Sequence, residues 1–145
     1  MNKHSDEECK IVKSDQLEVE ISSGSMTRLA GVSQGLVGAE GIHLAVATIP
    51  PACASSPHHH VNCESAIYVS KGSGTFLTGP NLETALAIKA GDFIYVPQGS
   101  LHKPVNDSLT EELELIVAGT FLSWDRIPQL FPLGCCELRS TPTPQ

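Results

Sequence analysis

Short apolar segments that end at glycine or proline constrain the fold of this chain more than any other feature. They recur roughly every eight to twelve residues, which is typical of β-sandwiches and β-barrels. The sequence therefore predicts an all-β fold, with at most a helical turn near residues 123–126. The predicted strands cover residues 43–49, 65–70, 75–78, 84–88, 93–96 and 112–118.

The length of 145 residues suits one domain with its own core. The predicted barrel core spans residues 41–120. Residues 1–40 are predicted to form an N-terminal arm and edge strands, because apolar residues between 11 and 21 alternate loosely with polar ones. Residues 22–42 are rich in serine and glycine, which predicts turns with short strands between them. Residues 121–139 concentrate aromatic side chains and are expected to pack over the barrel or against a second subunit. Residues 140–145 are expected to form a flexible tail.

Composition excludes several classes of partner. The formal net charge is −7 and Lys/Arg clusters are absent, which argues against nucleic-acid binding. No apolar run approaches the roughly 20 residues that a membrane helix needs. The N-terminal residues are polar and acidic, unlike a signal peptide, so we expect a cytoplasmic protein. The five cysteines are expected to be thiols, and Cys135-Cys136 matches no usual zinc spacing.

Two histidine-bearing segments are the main candidates for a chemical site. His58-His59-His60 precedes Glu64, and His102 follows a Pro-Gln-Gly turn. On a strand, residues two apart share a face, so His58 and His60 project together and His59 points away. The chain can bend before Glu64 and return its carboxylate to that side. Because imidazole and carboxylate bind divalent transition metals, these segments predict one metal site with open coordination positions. Its predicted ligands are His58, His60, Glu64 and His102.

Other polar residues carry weaker signals. His43 opens an apolar strand and is expected to be a core or rim histidine. Tyr68 and Tyr95 lie on central strands, where core packing is expected, although either could point its hydroxyl into a cavity. Cys63 is expected to pack as a small apolar side chain. Asn106 is expected to stabilise a turn through its side chain.

The two segments carry a family resemblance. The pattern Gly91-x5-Pro97-x-Gly99-x2-His102-x3-Asn106 resembles the second motif of the cupins, and His58-x-His60-x3-Glu64 resembles the first. The first motif departs from the usual spacing: seven residues separate Glu64 from Gly72, where cupins usually show six. A bulge, or a shift of Tyr68 relative to the pocket, could absorb the extra residue.

The resemblance covers roughly residues 40–120 and implies a double-stranded β-helix, the jelly-roll barrel of the cupins. It also implies a frequent homodimer and a metal held inside the barrel by the matching positions His58, His60, Glu64 and His102. The chain is most similar to small single-domain cupins of unassigned activity.

A three-histidine, one-glutamate site with open positions can bind a small chelating substrate. The first hypothesis is a metal-dependent enzyme of the dioxygenase or oxidative-cleavage type, with Fe, Mn or Cu. The second is a non-oxidative isomerase, cyclase or lyase with Zn, Ni or Mn. In either case Glu64 is predicted to act as a ligand and as the catalytic proton acceptor. A third hypothesis is a non-catalytic cupin that holds a metal or a ligand.

Overall fold

The computed structural model describes residues 4–61 and 63–120, and the backbone of residues 138–140. Within these residues the chain is almost entirely β-strand. One short helix, α1, spans Gln34–Val37. The strands are β1 (Glu18–Val19), β2 (Thr27–Val32), β3 (Ile42–Ile49), β4 (His58–His60), β5 (Ser65–Lys71), β6 (Ser73–Thr78), β7 (Thr84–Lys89), β8 (Phe93–Val96), β9 (His102–Val105), β10 (Leu113–Thr120) and β11 (Leu138–Ser140).

The strands form two antiparallel sheets. The larger sheet has the order β1-β2-β3-β10-β5-β8, and the smaller has the order β11-β4-β9-β6-β7. Consecutive strands repeatedly cross from one sheet to the other, as β3 to β4 and β4 to β5 do. This arrangement is a jelly-roll barrel, so the predicted fold class is confirmed.

The core follows from the alternation of side chains along the central strands. On β10, Leu113, Leu115 and Val117 are buried, and the residues between them are more exposed. On β5, Ile67 and Val69 face the same interior. Each such side chain contributes roughly 1.5–3 kcal/mol through burial. The larger sheet therefore supplies most of the apolar wall against which the smaller sheet packs.

The helix α1 was not expected, because the surrounding residues are rich in glycine and serine. The Ser33 hydroxyl accepts a hydrogen bond from the amide of Leu36 and caps the first turn. Gly38 ends the helix with φ of 71°, a conformation that glycine adopts without steric cost. None of the described helices is long and apolar enough to cross a membrane.

Several predictions fall on the C-terminal part of the chain. Residues 121–137 and 141–145 lie outside the described residues, and with them the helical turn, the aromatic packing and Cys135-Cys136. The backbone of Leu138–Ser140 pairs antiparallel with His58–His60, so β11 lines the outer edge of the histidine-bearing strand.

The side chain of Asn106 links the end of β9 to the neighbouring loops through hydrogen bonds. Its side-chain nitrogen donates to the carbonyls of Ile49 and Glu111, at 3.0 and 2.7 Å, and lies 3.1 Å from that of Pro50. Its side-chain oxygen accepts from the amide of Ser108, which confirms the predicted turn-stabilising role. The residue is 1% exposed, so none of these bonds is readily replaced by water.

We expect Asn106→Ala to lower the free energy of unfolding by about 2–3 kcal/mol, because buried carbonyls lose their donor. The exposed Asn81 is the matched control, and Asn81→Ala should change stability by less than about 0.5 kcal/mol. Urea unfolding of both variants measures the difference. Equal stabilities would show that the Asn106 network does not hold the fold.

Candidate metal centre

Three of the predicted ligands converge inside the barrel. His58 pairs with His102 across β4 and β9, and His60 follows His58 on the same face of β4. One ring nitrogen from each histidine lies within 4.8 Å of those of the other two. All three residues are buried, at 2–3% exposure. Three imidazoles this close, inside an apolar shell, have the donor set and spacing for one divalent transition-metal ion.

Backbone carbonyls orient two of the rings. The Nδ1 atoms of His58 and His102 lie 2.8 Å from the carbonyl oxygens of Ser56 and Ser100. A carbonyl can only accept, so each Nδ1 carries the proton and each Nε2 keeps its lone pair. This is the arrangement by which proteins fix the tautomer and direction of a metal-binding histidine.

The ring of His60 also supports a metal site, but through a different observation. The Nδ1 atom of His60 is buried and has no hydrogen-bond partner among the described residues. The ring stacks on that of His102, with centroids 5.2 Å apart. Because a buried polar atom without a partner is costly, a cation accepting a lone pair from this ring would explain its position.

The electrostatics of the cluster favour neutral imidazoles. Burial, followed by the proximity of His102, lowers the pKa of His58 to about 3 and that of His60 to about 4. Burial also lowers the pKa of His102. Near neutral pH the three rings are therefore neutral, with one nitrogen of each free of a proton, so a metal ion would not have to compete with an added proton for that nitrogen.

A small cavity adjoins the three histidines between the two sheets. Its volume is about 20 Å³, which is on the scale of one or two water molecules. Phe76 forms one wall and stacks on His102 at a centroid distance of 5.5 Å. Arg28 is the other polar side chain in the lining. The apolar lining consists of Met26, Ile67, Phe76, Pro104, Leu115 and Val117.

The guanidinium of Arg28 is held by a half-buried acid, Glu20. Its Nε donates to Glu20 at 2.9 Å, and the other carboxylate oxygen of Glu20 bonds to Nε2 of His43. Burial alone would raise the pKa of Glu20, but the His43 hydrogen bond and the charge of Arg28 outweigh it and hold the pKa below its usual value. His43 is buried and bonded, as predicted for a core histidine.

The structure does not bring Glu64 to the three histidines. Its side chain is exposed and accepts a 2.6 Å hydrogen bond from the hydroxyl of Tyr95. That bond raises the pKa of Tyr95. Both Tyr68 and Tyr95 are on the outer face, with 40% and 67% exposure, so the expected core packing of the tyrosines is wrong. The ligand and catalytic roles of Glu64 stay predictions.

Ser65 faces the interior where the sequence led us to expect an acid. It is 3% exposed, and its hydroxyl has no partner among the described residues. It shares the inner face of β5 with Ile67, which lines the cavity. The signal was present in the spacing: six residues separate Ser65 from Gly72, so Ser65 falls in the frame that cupins usually give to the acid.

The remaining histidine of the triplet follows the predicted alternation. His59 is half-buried and lies between the two inward-facing ligand candidates. Cys63 is buried, as predicted. Arg28 was missed by sequence reasoning, because the surrounding serines and glycines pointed to turns. Its spacing from the small residue Ala30 on the same face of β2 was the available signal.

Solved structures share this fold at low sequence identity. The polyketide cyclase RemF from Streptomyces resistomycificus is 23% identical with a TM-score of 0.65, over 81% of this chain and 89% of that one. A predicted oxalate decarboxylase from Thermotoga maritima is 23% identical with a TM-score of 0.64, over 78% and 100%. Vicilin from hazelnut, Corylus avellana, is 21% identical with a TM-score of 0.65, over 79% and 34%.

Comparison with curated proteins gives no significant match. Residues 45–119, however, match the cupin domain family. This segment includes the strands that carry His58, His60 and His102. Together with the jelly-roll barrel, the match establishes that the chain belongs to the cupin superfamily.

Proposed function

We propose that this cupin is a metal-dependent enzyme acting on a small chelating molecule, with His58, His60 and His102 as ligands. The observation that carries the proposal is the convergence of three buried, neutral imidazoles, two of them oriented through Nδ1. Three protein donors leave coordination positions for a substrate, which distinguishes a catalytic from a structural site. The adjoining cavity marks the side of the three histidines from which that substrate would approach, with movement of its walls.

A bound Fe, Mn or Cu ion would supply redox chemistry at this position, and Zn or Ni would supply a Lewis acid. The protein's own contribution is to fix the imidazoles and to exclude bulk water. The Ser56 and Ser100 carbonyls hold two rings in place. Phe76 and the apolar lining limit the access of bulk water, which strengthens polar interactions inside the cavity.

Among reaction types, we rank oxidative cleavage by a dioxygenase first. A nitrogen-only set of protein donors with adjacent open positions suits the binding of both a chelating substrate and a second small molecule. A non-oxidative cyclase, isomerase or lyase is the second candidate. A polyketide cyclase and a predicted oxalate decarboxylase with the same fold support chemistry of that kind.

A non-catalytic cupin is the third candidate. The small volume of the cavity favours it, because little more than an ion and one or two waters fit without movement of the walls. Vicilin also shares the fold. Turnover assays on metal-loaded protein separate this candidate from the first two.

The ligand assignment predicts that His58→Ala and His102→Ala purify folded but without stoichiometric metal. His59→Ala is the matched control and should keep its metal, because that ring lies between the inward-facing positions. Elemental analysis together with circular dichroism measures both properties. Full metal content in His58→Ala and His102→Ala would refute the assignment.

Glu64→Gln tests the fourth predicted ligand. With the carboxylate exposed and bonded to Tyr95, the variant should retain metal at the wild-type level. Loss of metal would show that the carboxylate turns inward when the cation binds. Retained metal with a lost reaction rate would support a proton-transfer role.

The dioxygenase proposal predicts oxygen uptake by protein loaded with Fe(II) or Mn(II) in the presence of a β-diketone such as acetylacetone. The Zn(II)-loaded protein should consume none. His102→Ala should lower the rate about a hundredfold or more, and His59→Ala should not. Substrate loss without oxygen uptake would favour the non-oxidative candidate, and metal-replete protein without turnover on a panel of chelators would favour the non-catalytic one.

We also propose a homodimer, and exposed aromatic side chains on β8 and β5 support it. Phe93 is 80% exposed at the edge strand of the larger sheet, and its ring lies 4.9 Å from that of Tyr68. Large exposed apolar groups that cluster in this way are typical of interfaces.

Phe93→Glu is therefore expected to weaken dimerisation about tenfold or more, measured by analytical ultracentrifugation. Leu86→Glu is the matched control, since Leu86 is also exposed but lies on the other sheet. An unchanged dimer in the Phe93 variant would remove this surface from the interface.

A further inference from the structure

Arg28 is a buried cation that faces the cavity beside the histidines. The residue is 4% exposed and lines the cavity together with His58, His60 and His102. Burying a guanidinium is costly unless its donors and its charge are satisfied. A guanidinium at so buried a position requires partners for its charge and for all its N–H donors. The structure supplies a partner for the charge and for one of the donors.

The partial compensation comes from Glu20 and leaves most of the guanidinium unused. Glu20 accepts from Nε alone, while His43 occupies its other oxygen. The guanidinium of Arg28 forms no other hydrogen bond with a described residue, so its two Nη groups have no acceptor in the part of the chain that the structure describes. One N–H bond of each Nη group lies on the edge of the guanidinium that can bind a carboxylate in a bidentate manner.

The rest of the cavity has no negative charge to offer these donors. No acidic side chain is found in its lining among the described residues. Glu64 is exposed, and the inward-facing position after it is the hydroxyl of Ser65. A divalent cation at the three histidines would add positive charge beside Arg28, which favours an anionic ligand.

We propose that this cavity takes a small chelating carboxylate, of the 2-hydroxy or 2-oxo acid class, with its carboxylate on the Nη edge of Arg28. The inference rests on the proposed metal centre, because the second donor atom of the ligand is directed to the three histidines. Glu20 and His43 act as positioning residues that hold the guanidinium against the cavity wall. The cavity volume of about 20 Å³ is on the scale of one or two water molecules, so only the smallest acids of this class fit, and they bind as the cavity walls move outward.

Two probes of nearly equal size separate charge from shape. Glycolate and glycolamide differ by the replacement of a carboxylate oxygen with an NH2 group, and both can chelate a metal. Calorimetric titration into Zn(II)-loaded wild-type protein should show binding of glycolate and at least about tenfold weaker binding of glycolamide. Equal affinities would overturn the inference.

The variant Arg28→Met/Glu20→Gln removes the guanidinium without leaving an unpaired buried charge. Its affinity for glycolate should fall about tenfold to a hundredfold, and its affinity for glycolamide should change less than about threefold. Metal content, measured in the same samples, should stay at the wild-type level. The exposed Lys89 provides the control, and Lys89→Met should leave both affinities unchanged.

Arg28→Lys keeps the test decisive if the double variant does not fold. A lysine retains the charge but loses the two-pronged donor geometry, so glycolate affinity should fall by about fivefold or more. Unchanged glycolate binding in a folded, metal-loaded Arg28 variant would overturn the inference. Wild-type protein that holds no metal would instead overturn the proposed metal centre, and the same titrations on metal-free protein would still support or refute the role of Arg28.

Discussion

The register between β4 and β9 is the constraint on which the site depends. Antiparallel pairing places His58 opposite His102, and alternation along β4 then brings His60 to the same interior. A slip of one residue would turn the imidazoles outward. The register is maintained from both directions: β6 pairs with β9 over four residues, and Asn106 fixes the end of β9 to neighbouring loops. The geometry of the centre is therefore a property of the barrel, not of the histidines alone.

The sequence was most informative where one face of a strand is buried. The alternation in residues 112–118 and the glycine-bounded strands predicted β10 and β5 closely, because burial makes period-two patterns strict. It was least informative in residues 22–42, where turns with short strands between them were expected: β2 is such a strand, but α1 was not expected. Arg28 belongs to that stretch. The spacing of Arg28 from Ala30 indicated a shared face of a strand, but the burial of Arg28 depends on Glu20 and His43, which meet it only through tertiary structure.

Glu64 and Ser65 show a different limit of sequence reasoning. The pattern His58-x-His60-x3-Glu64 allows Glu64 to face either inward or outward at the start of β5. The sequence alone does not give the conformation of the loop between His60 and Glu64, which decides between the two. In the structure the hydrogen bond from the Tyr95 hydroxyl to Glu64 stabilises the outward orientation of the Glu64 side chain. The spacing to Gly72 carried the deciding information, since Gly72 has φ of 85° and no room for a Cβ atom beside Glu112. That glycine fixes the other end of the strand.

The order of Glu64 and Ser65 gives the barrel an unusual sensitivity to a minimal sequence change. Because neighbouring residues on a strand face opposite ways, exchanging the two identities would move a carboxylate from solvent to the interior without altering composition. The added negative charge would offset the positive charge of the cavity, and the proposed preference for an anionic ligand would shift towards uncharged ligands. Proteins with this fold could thus change the class of molecule that they bind by exchanging two adjacent residues, while every strand keeps its position.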